Sequence, residues 1–194
     1  MCGAGRTKPA WKAVLIRIGR ILQTTLSRQV PVKKVLIDTN VVLDVALDVA
    51  LDVLLDRPPH ARASVAVWAA IETGSVQGLL AAHAVTTIHC LIRKELGMAS
   101  ARRAISTMLK VFGVAMVDGP VIQLALGLPL SDFENAVTAA ASQFAACDFI
   151  VTRDPKGFRG CGMRFLMPEA AVPQLLELSN IARDMEAREA RNEY

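Results

Sequence analysis

Val35-Leu36-Ile37-Asp38-Thr39-Asn40-Val41-Val42-Leu43-Asp44 is the stretch that decides how the rest of the chain is read. Three aliphatic residues end abruptly in an acid, a hydroxyl and an amide, and then apolar residues resume. A run too short for a helix of its own reads as a strand buried on both faces, and the apolar spacing after it is helical. An acid at the carboxyl end of a first buried strand stands where open α/β sheets gather their chemistry, in the crevice beyond the strand ends. The bland alternative for Asp38-Thr39-Asn40 is a turn that caps the next helix. This stretch leaves both readings open, and the far end of the chain separates them.

The 194 residues suffice for one domain with a sizeable core and are too few for two. An apolar fraction of 53% with only 5% aromatics suits an α/β or α protein built on Ala, Val and Leu rather than a sandwich. No run approaches the roughly 18 uninterrupted apolar residues of a membrane span. Cys2, Cys90, Cys147 and Cys161 lack metal-type spacing, and no secretory leader precedes them. They read as core thiols in a reducing cytoplasm. The net charge of +4 is uneven: eight basic residues and no acid precede Asp38, leaving 14 basic against 18 acidic residues in the rest. The basic balance therefore belongs to the leading segment and carries no argument for nucleic-acid binding by the domain.

Residues 1–31 form a separate basic, amphipathic segment, with Trp11, Val14, Leu15, Ile18, Leu22 and Leu26 on one helical face. Three readings stand: a helix that touches RNA or membrane, a transit peptide, or an extension from a misplaced start. The clean beginning of the core at Val32 favours the last. The expected domain is 32–178, followed by a charged tail over 179–194.

Inside the domain, Leu43–Ala46, Leu47–Ala50 and Leu51–Leu54 are near copies of one four-residue unit. Asp44, Asp48 and Asp52 then form a slanting row, since four residues fall about 40° past one helical turn. A duplication that lengthens the first helix explains the row better than a metal ladder does, and Asp44 is expected to keep its place beside the strand. Leu55-Asp56-Arg57-Pro58-Pro59-His60 ends that helix. Helices are expected over 61–71, 85–95, 100–112, 121–126, 132–145 and 169–178. Further strands are expected at 78–82, 114–117, 149–152 and 165–167. His60 and His83 read as loop residues. Strands separated by helices, without hairpin signals, give an α/β domain with a parallel sheet and right-handed crossovers.

Parallel strands put their carboxyl ends on one edge. Asp38 ends the first strand, Asp154 follows the fourth, and Asp132 opens the helix that leads into the fourth, as its N-cap. Three converging carboxylates repel one another unless a cation offsets them, and oxygen ligands suit Mg²⁺ or Mn²⁺. Such a site can activate water and hold a phosphodiester for in-line attack. Asp148 precedes its strand and belongs to the opposite edge. Glu134 lies roughly 200° around a helix from Asp132 and joins only through an irregular first turn. His89 is better read as a hydrogen-bonded helix residue than as a ligand. Arg153 can contact RNA phosphate or be an ordinary surface charge.

Val35–Asp44, Ser131–Ala141 (SDFENAVTAAA) and Ile150–Phe158 (IVTRDPKGF) together resemble the motifs of the PIN-domain family, closest to bacterial members related to VapC-type toxins. The resemblance spans about residues 33–175. It implies a single PIN-like domain with a five-stranded parallel sheet flanked by helices, and Mg²⁺- or Mn²⁺-dependent hydrolysis of RNA to 5′-phosphate and 3′-hydroxyl ends. The expected partner is RNA, with an antitoxin protein that blocks the site and a homodimer as further options. Carried over by position, Asp38 and Asp154 are family acids, with Asn40, Thr39 and Thr152 in support. This chain departs at three places. Asn135 stands at the usual third acid, one turn after Asp132. Thr87 best matches a helix Glu that many members carry, and Gly157 replaces an acid that often precedes Phe158. An amide binds Mg²⁺ more weakly than a carboxylate. A second class of function is therefore a PIN-like module with reduced turnover that binds RNA or protein. A haloacid-dehalogenase-type phosphotransferase also begins from an Asp after its first strand, but it needs a second acid where Asn40 stands.

Overall fold

The computed structural model describes residues 33–51, 61–74 and 76–177, all within the compact unit that begins at Lys33. Expectations for residues 1–31, for the Asp48 and Asp52 side chains, for Leu55–His60 and for the tail over 179–194 lie outside the described residues.

The chain order is β1 (Lys34–Ile37), α1 (Thr39–Leu51), α2 (Ala61–Glu72), β2 (Gln77–Ala81), α3 (Ala82–Val111), β3 (Gly113–Ala115), α4 (Gly119–Gly127), α5 (Phe133–Phe144), β4 (Phe149–Val151) and β5 (Phe165–Leu166). A further helix, α6, covers 168–177. The five strands form one sheet in the order β3-β2-β1-β4-β5, and every pairing is parallel. Helices cross back between the strands and cover both faces, as parallel pairing requires.

The short aliphatic strands need that double cover because side chains alternate between the two faces. Val35 and Ile37 join a core with Leu80, Val151, Ile88, Ile92 and residues of α1 and α2. Leu36, one step between them, belongs to the opposite core with Ile150, Val121 and the alanines of α5. Ala136, Ala139, Ala140 and Ala141 are buried there, and their small side chains let the α5 backbone lie close against the sheet. No described helix is long and apolar enough to cross a membrane.

Two boundaries differ from the sequence expectation for physical reasons. The strand expected over 114–117 is shorter, because β3 stops at Ala115 where its partner β2 stops at Ala81. The two helices expected over 85–95 and 100–112 are present as two stretches of α3 separated at the non-helical Gly97 (φ 82°, ψ 172°), but the first begins earlier than expected, at Ala82 directly after β2. His83 therefore sits in a first helical turn, not in a loop. Among the cysteines, Cys147 and Cys161 are buried, whereas Cys90 is exposed on α3, against the expectation of a core thiol.

Gly78 on β2 marks a tight place. A Cβ there would lie 2.6 and 2.8 Å from Ile71 and 2.9 Å from Phe112, whose ring also meets Trp68 edge-on at 4.8 Å. Gly78→Ala should cost about 1–3 kcal/mol in urea unfolding through overpacking. Gly119→Ala, where a Cβ meets open space, should stay within about 0.5 kcal/mol of the parent. Equal midpoints for the two variants would contradict this packing.

Candidate active site

The register of the two central strands builds the site. Leu36 pairs with Ile150 and Ile37 with Val151, so the next residues, Asp38 and Thr152, leave the sheet side by side. The Asp38 backbone N–H donates to the Val151 carbonyl at 2.9 Å. The Thr152 hydroxyl donates to Asp38 Oδ2 at 2.7 Å, and Asn40 Nδ2 donates to the same oxygen at 2.7 Å. The Thr152 hydroxyl in turn accepts the Asp154 backbone N–H at 2.9 Å. Asn40 Oδ1 accepts the Arg153 N–H at 3.1 Å. Asn40 and Thr152 thus tie the start of α1 to the loop after β4 through one carboxylate.

Asp38 is only 5% exposed. Burial pushes its carboxyl above the usual carboxylate range, and hydrogen bonds from Thr152 and the Thr39 backbone act in the opposite direction. The charges of Glu134 and Asp154 push it up further. Asp154 accepts the Gly157 N–H at 3.1 Å on Oδ1. A Cβ on Gly157 would collide with Asp154 Oδ2 and Asn135 Nδ2, and would lie 3.0 Å from Asp154 Cγ. The carboxylate of Asp154 and the amide of Asn135 therefore meet over the bare backbone of Gly157.

Asp132 is the N-cap of α5, and its Oδ1 accepts the backbone N–H groups of Glu134 at 2.8 Å and Asn135 at 3.1 Å. The trio expected from the sequence, Asp38, Asp132 and Asp154, does not form a joint metal cage. Among the described residues no three His, Cys, Asp or Glu side chains stand close enough to share an ion. The acid of α5 whose charge bears on Asp38 is Glu134. The expected 200° separation from Asp132 holds only between two helical residues, but Asp132 has extended backbone (φ −97°, ψ 120°) and the helix begins after it.

Asp44, expected in support of the acids, turns instead toward α2. It accepts the Ser64 hydroxyl at 3.0 Å and pairs with Arg153 at 3.1 Å. Arg153 is thereby neither a free phosphate contact nor an ordinary surface charge; it locks the loop after β4 to α1. Thr87 and His89 are half-buried on α3, and no hydrogen bond joins either to the acids among the described residues. Asp148 holds Lys33 Nζ at 2.7 Å and the Lys34 N–H at 3.0 Å, at the opposite edge from Asp38.

His83 was missed by sequence reasoning. Its Nε2 lies 3.3 Å from the Thr138 hydroxyl and 3.9 Å from Glu134 Oε1. Burial lowers its basicity, with the Glu134 charge acting against that. Its only sequence signal was its position directly after a strand on the edge that carries the acids.

The donor set suits a hard divalent cation. Mg²⁺ retains several waters and commonly takes one or two carboxylates, the rest coming from substrate phosphates. Asp38 and Asp154 supply two, and Asn135 beside Asp154 has an amide oxygen to offer.

The sequence profile described as PIN domain matches residues 34–156. No curated protein matches the chain. Among solved structures, the complex of VapBC2 from Rickettsia felis with a DNA fragment from their promoter is similar with TM-score 0.52 at 8% identity. That match covers 69% of this chain and 98% of the other. FitAcB from Neisseria gonorrhoeae gives TM-score 0.50 at 19% identity, covering 70% and 98%. VapC20 from Mycobacterium tuberculosis, described as a sarcin-ricin loop cleaving toxin, gives 0.50 at 14% identity, covering 66% and 95%. Identities this low speak to the fold.

A raised folded pKa means that the folded state binds the Asp38 proton more tightly than the unfolded chain does. The resulting destabilisation is absent below the unfolded value of about 3.9. It grows as pH rises and is complete above the folded value. In EDTA at pH 7.5, Asp38→Asn should therefore raise Tm, with a gap that closes as pH falls toward about 4. A lower Tm for the variant at pH 7.5 would contradict this electrostatic account.

Proposed function

The chain belongs to the PIN domain family of nucleases, and from that premise we propose that it is a metal-dependent endoribonuclease acting in the cytoplasm as the toxin of a toxin–antitoxin pair. The observation that carries the reading is Asp38: a carboxylate 5% exposed, held on one oxygen by two donors and pressed by two further acids. Among the described residues, the cation next to Asp154 in sequence, Arg153, is engaged by Asp44. A buried carboxylate with two like charges acting on it is costly, and a bound cation would offset that cost.

In this reading Asp38 and Asp154 hold Mg²⁺ or Mn²⁺. When bound, the ion supplies Lewis-acid polarisation of the scissile phosphate. Thr152 and Asn40 fix the Asp38 carboxylate so that its orientation is set before substrate arrives. Asn135 serves through its amide beside Asp154, and Asp132 acts as the cap that shapes the start of α5. The toxin assignment follows the fold shared with VapBC2 and VapC20. An antitoxin and a second copy of the chain are the proposed protein partners. A module that binds RNA or protein with little turnover is the second reading. Asn135 in place of an acid and the absence of a three-acid cluster among the described residues favour it.

Purified protein with Mg²⁺ or Mn²⁺ should cut single-stranded RNA internally, leaving 5′-phosphate ends. EDTA should abolish the cleavage, and Asp38→Asn should lower it by at least about 100-fold, the upper end for even the outer partners of a metal site. RNA bound but left intact, with or without metal, would favour the module instead. Cleavage undiminished in Asp38→Asn would refute the assigned role.

A further inference from the structure

Asp154 is exposed, so the backbone of the loop after β4 has to aim its carboxylate. That loop is held at three consecutive residues. The Thr152 hydroxyl donates to Asp38 Oδ2 at 2.7 Å and accepts the Asp154 N–H at 2.9 Å. Pro155 confines Asp154, the residue before it, to extended backbone. Arg153, between Thr152 and Asp154, is held twice from α1. Asn40 Oδ1 accepts its backbone N–H at 3.1 Å, and Asp44 Oδ1 lies 3.1 Å from its Nη1. Asn40 and Asp44 are four residues apart on one helix and so share a face. The second oxygen of Asp44 accepts the hydroxyl of Ser64, a residue of α2 only 1% exposed, at 3.0 Å. Arg153 Nε is buried without a partner, so among the described residues the hold on the guanidinium falls to Asp44.

We propose that Asp44 is a positioning residue: braced by Ser64 and acting through Arg153, it sets the loop that aims Asp154. This deepens the nuclease reading above and rests on it. The peptide between Arg153 and Asp154 is planar, so fixing the Arg153 main chain and anchoring the Asp154 N–H leaves the Asp154 Cα little freedom. Released from Asp44, Arg153 keeps only its backbone bond to Asn40, and its long side chain moves with the loop instead of restraining it. The pair is partly shielded from water, with 12% of the Asp44 side chain and 32% of the Arg153 side chain exposed, unlike fully solvated pairs that contribute little. One guanidinium nitrogen meets one carboxylate oxygen, so the contact needs a cation rather than the planar fork of arginine. Through Ser64, the aim of Asp154 also depends on how α2 packs on α1. The support for the acids that the sequence led us to expect from Asp44 is thus given at one remove.

The test reads amide hydrogen exchange by NMR on full-length, isotope-labelled protein in EDTA, at a temperature where every variant is folded by circular dichroism. Asp44→Asn should speed exchange of the Arg153 and Asp154 amides about tenfold, as for the loss of one charge-assisted hydrogen bond. The Ile150 amide, bonded to the Arg164 carbonyl at 2.9 Å, should keep its parent rate. Arg153→Gln should match Asp44→Asn, the double variant should go no further, and Arg153→Lys should stay near the parent. Glu72→Gln, which removes an exposed acid at the end of α2, should change neither amide. Parent-like exchange in Asp44→Asn, additive losses in the double variant, or equal acceleration at Ile150, which marks a global loss of stability, would each overturn the positioning role. In RNA cleavage, Asp44→Asn should lower kcat about tenfold and leave KM unchanged. An unchanged kcat beside a loosened loop would overturn this inference and leave the nuclease reading intact. The expected exchange pattern in a parent protein that does not cut RNA would overturn the nuclease reading and leave the hold of Asp44 on the loop standing.

Discussion

A carboxylate removed from water at the end of a buried strand sets the terms for everything around it. Asp38 is carried to the carboxyl edge by three aliphatic residues that must themselves be covered on both faces. An ionised group so placed has to be met by donors, and here they come from two sides. Asn40 arrives with the first turn of α1, and Thr152 arrives because β4 pairs with β1 in a register that ends both strands together. A shift of one residue in that register would move every β4 side chain to the other face and take Thr152 from Asp38. Core packing and site geometry are therefore one constraint expressed at two places.

Charge is distributed to match. At the amino edge, Asp148 is neutralised by Lys33 and by the Lys34 backbone. At the carboxyl edge, the cation nearest in sequence, Arg153, is drawn aside to Asp44, and Ser64 links the same acid to α2. The charges of Glu134 and Asp154 both act on the buried Asp38 and raise its affinity for a proton. Gly157 lets Asp154 and Asn135 occupy the same small space, because any side chain there would drive them apart. The arrangement costs stability and gains a site of fixed negative potential, the usual exchange at a functional edge.

Much of this was legible in the sequence because its signals are local. Val35-Leu36-Ile37 before Asp38, and Phe149-Ile150-Val151 before Thr152, are apolar runs that stop in polar residues, and parallel topology brings such stops together. Asp132 before an alanine-rich helix reads directly as a cap. What escaped was set by geometry that a periodic pattern does not carry. His83 reads as loop because no polar residue announces the start of α3; its N-cap, Ala81, makes no side-chain hydrogen bond. Glu134 falls on the wrong side when helical phase is counted from Asp132, which is not helical. Arg153 stays open between phosphate and solvent because its partner, Asp44, lies on a helix far away in sequence.

Crystals soaked in Mn²⁺ test most directly, through anomalous scattering, whether the acids at this edge exist to hold a divalent ion. The expected result is a peak within about 2–2.5 Å of carboxylate oxygens of both Asp38 and Asp154. A map with no peak at the strand edge, or with the ion bound only elsewhere on the surface, would contradict it.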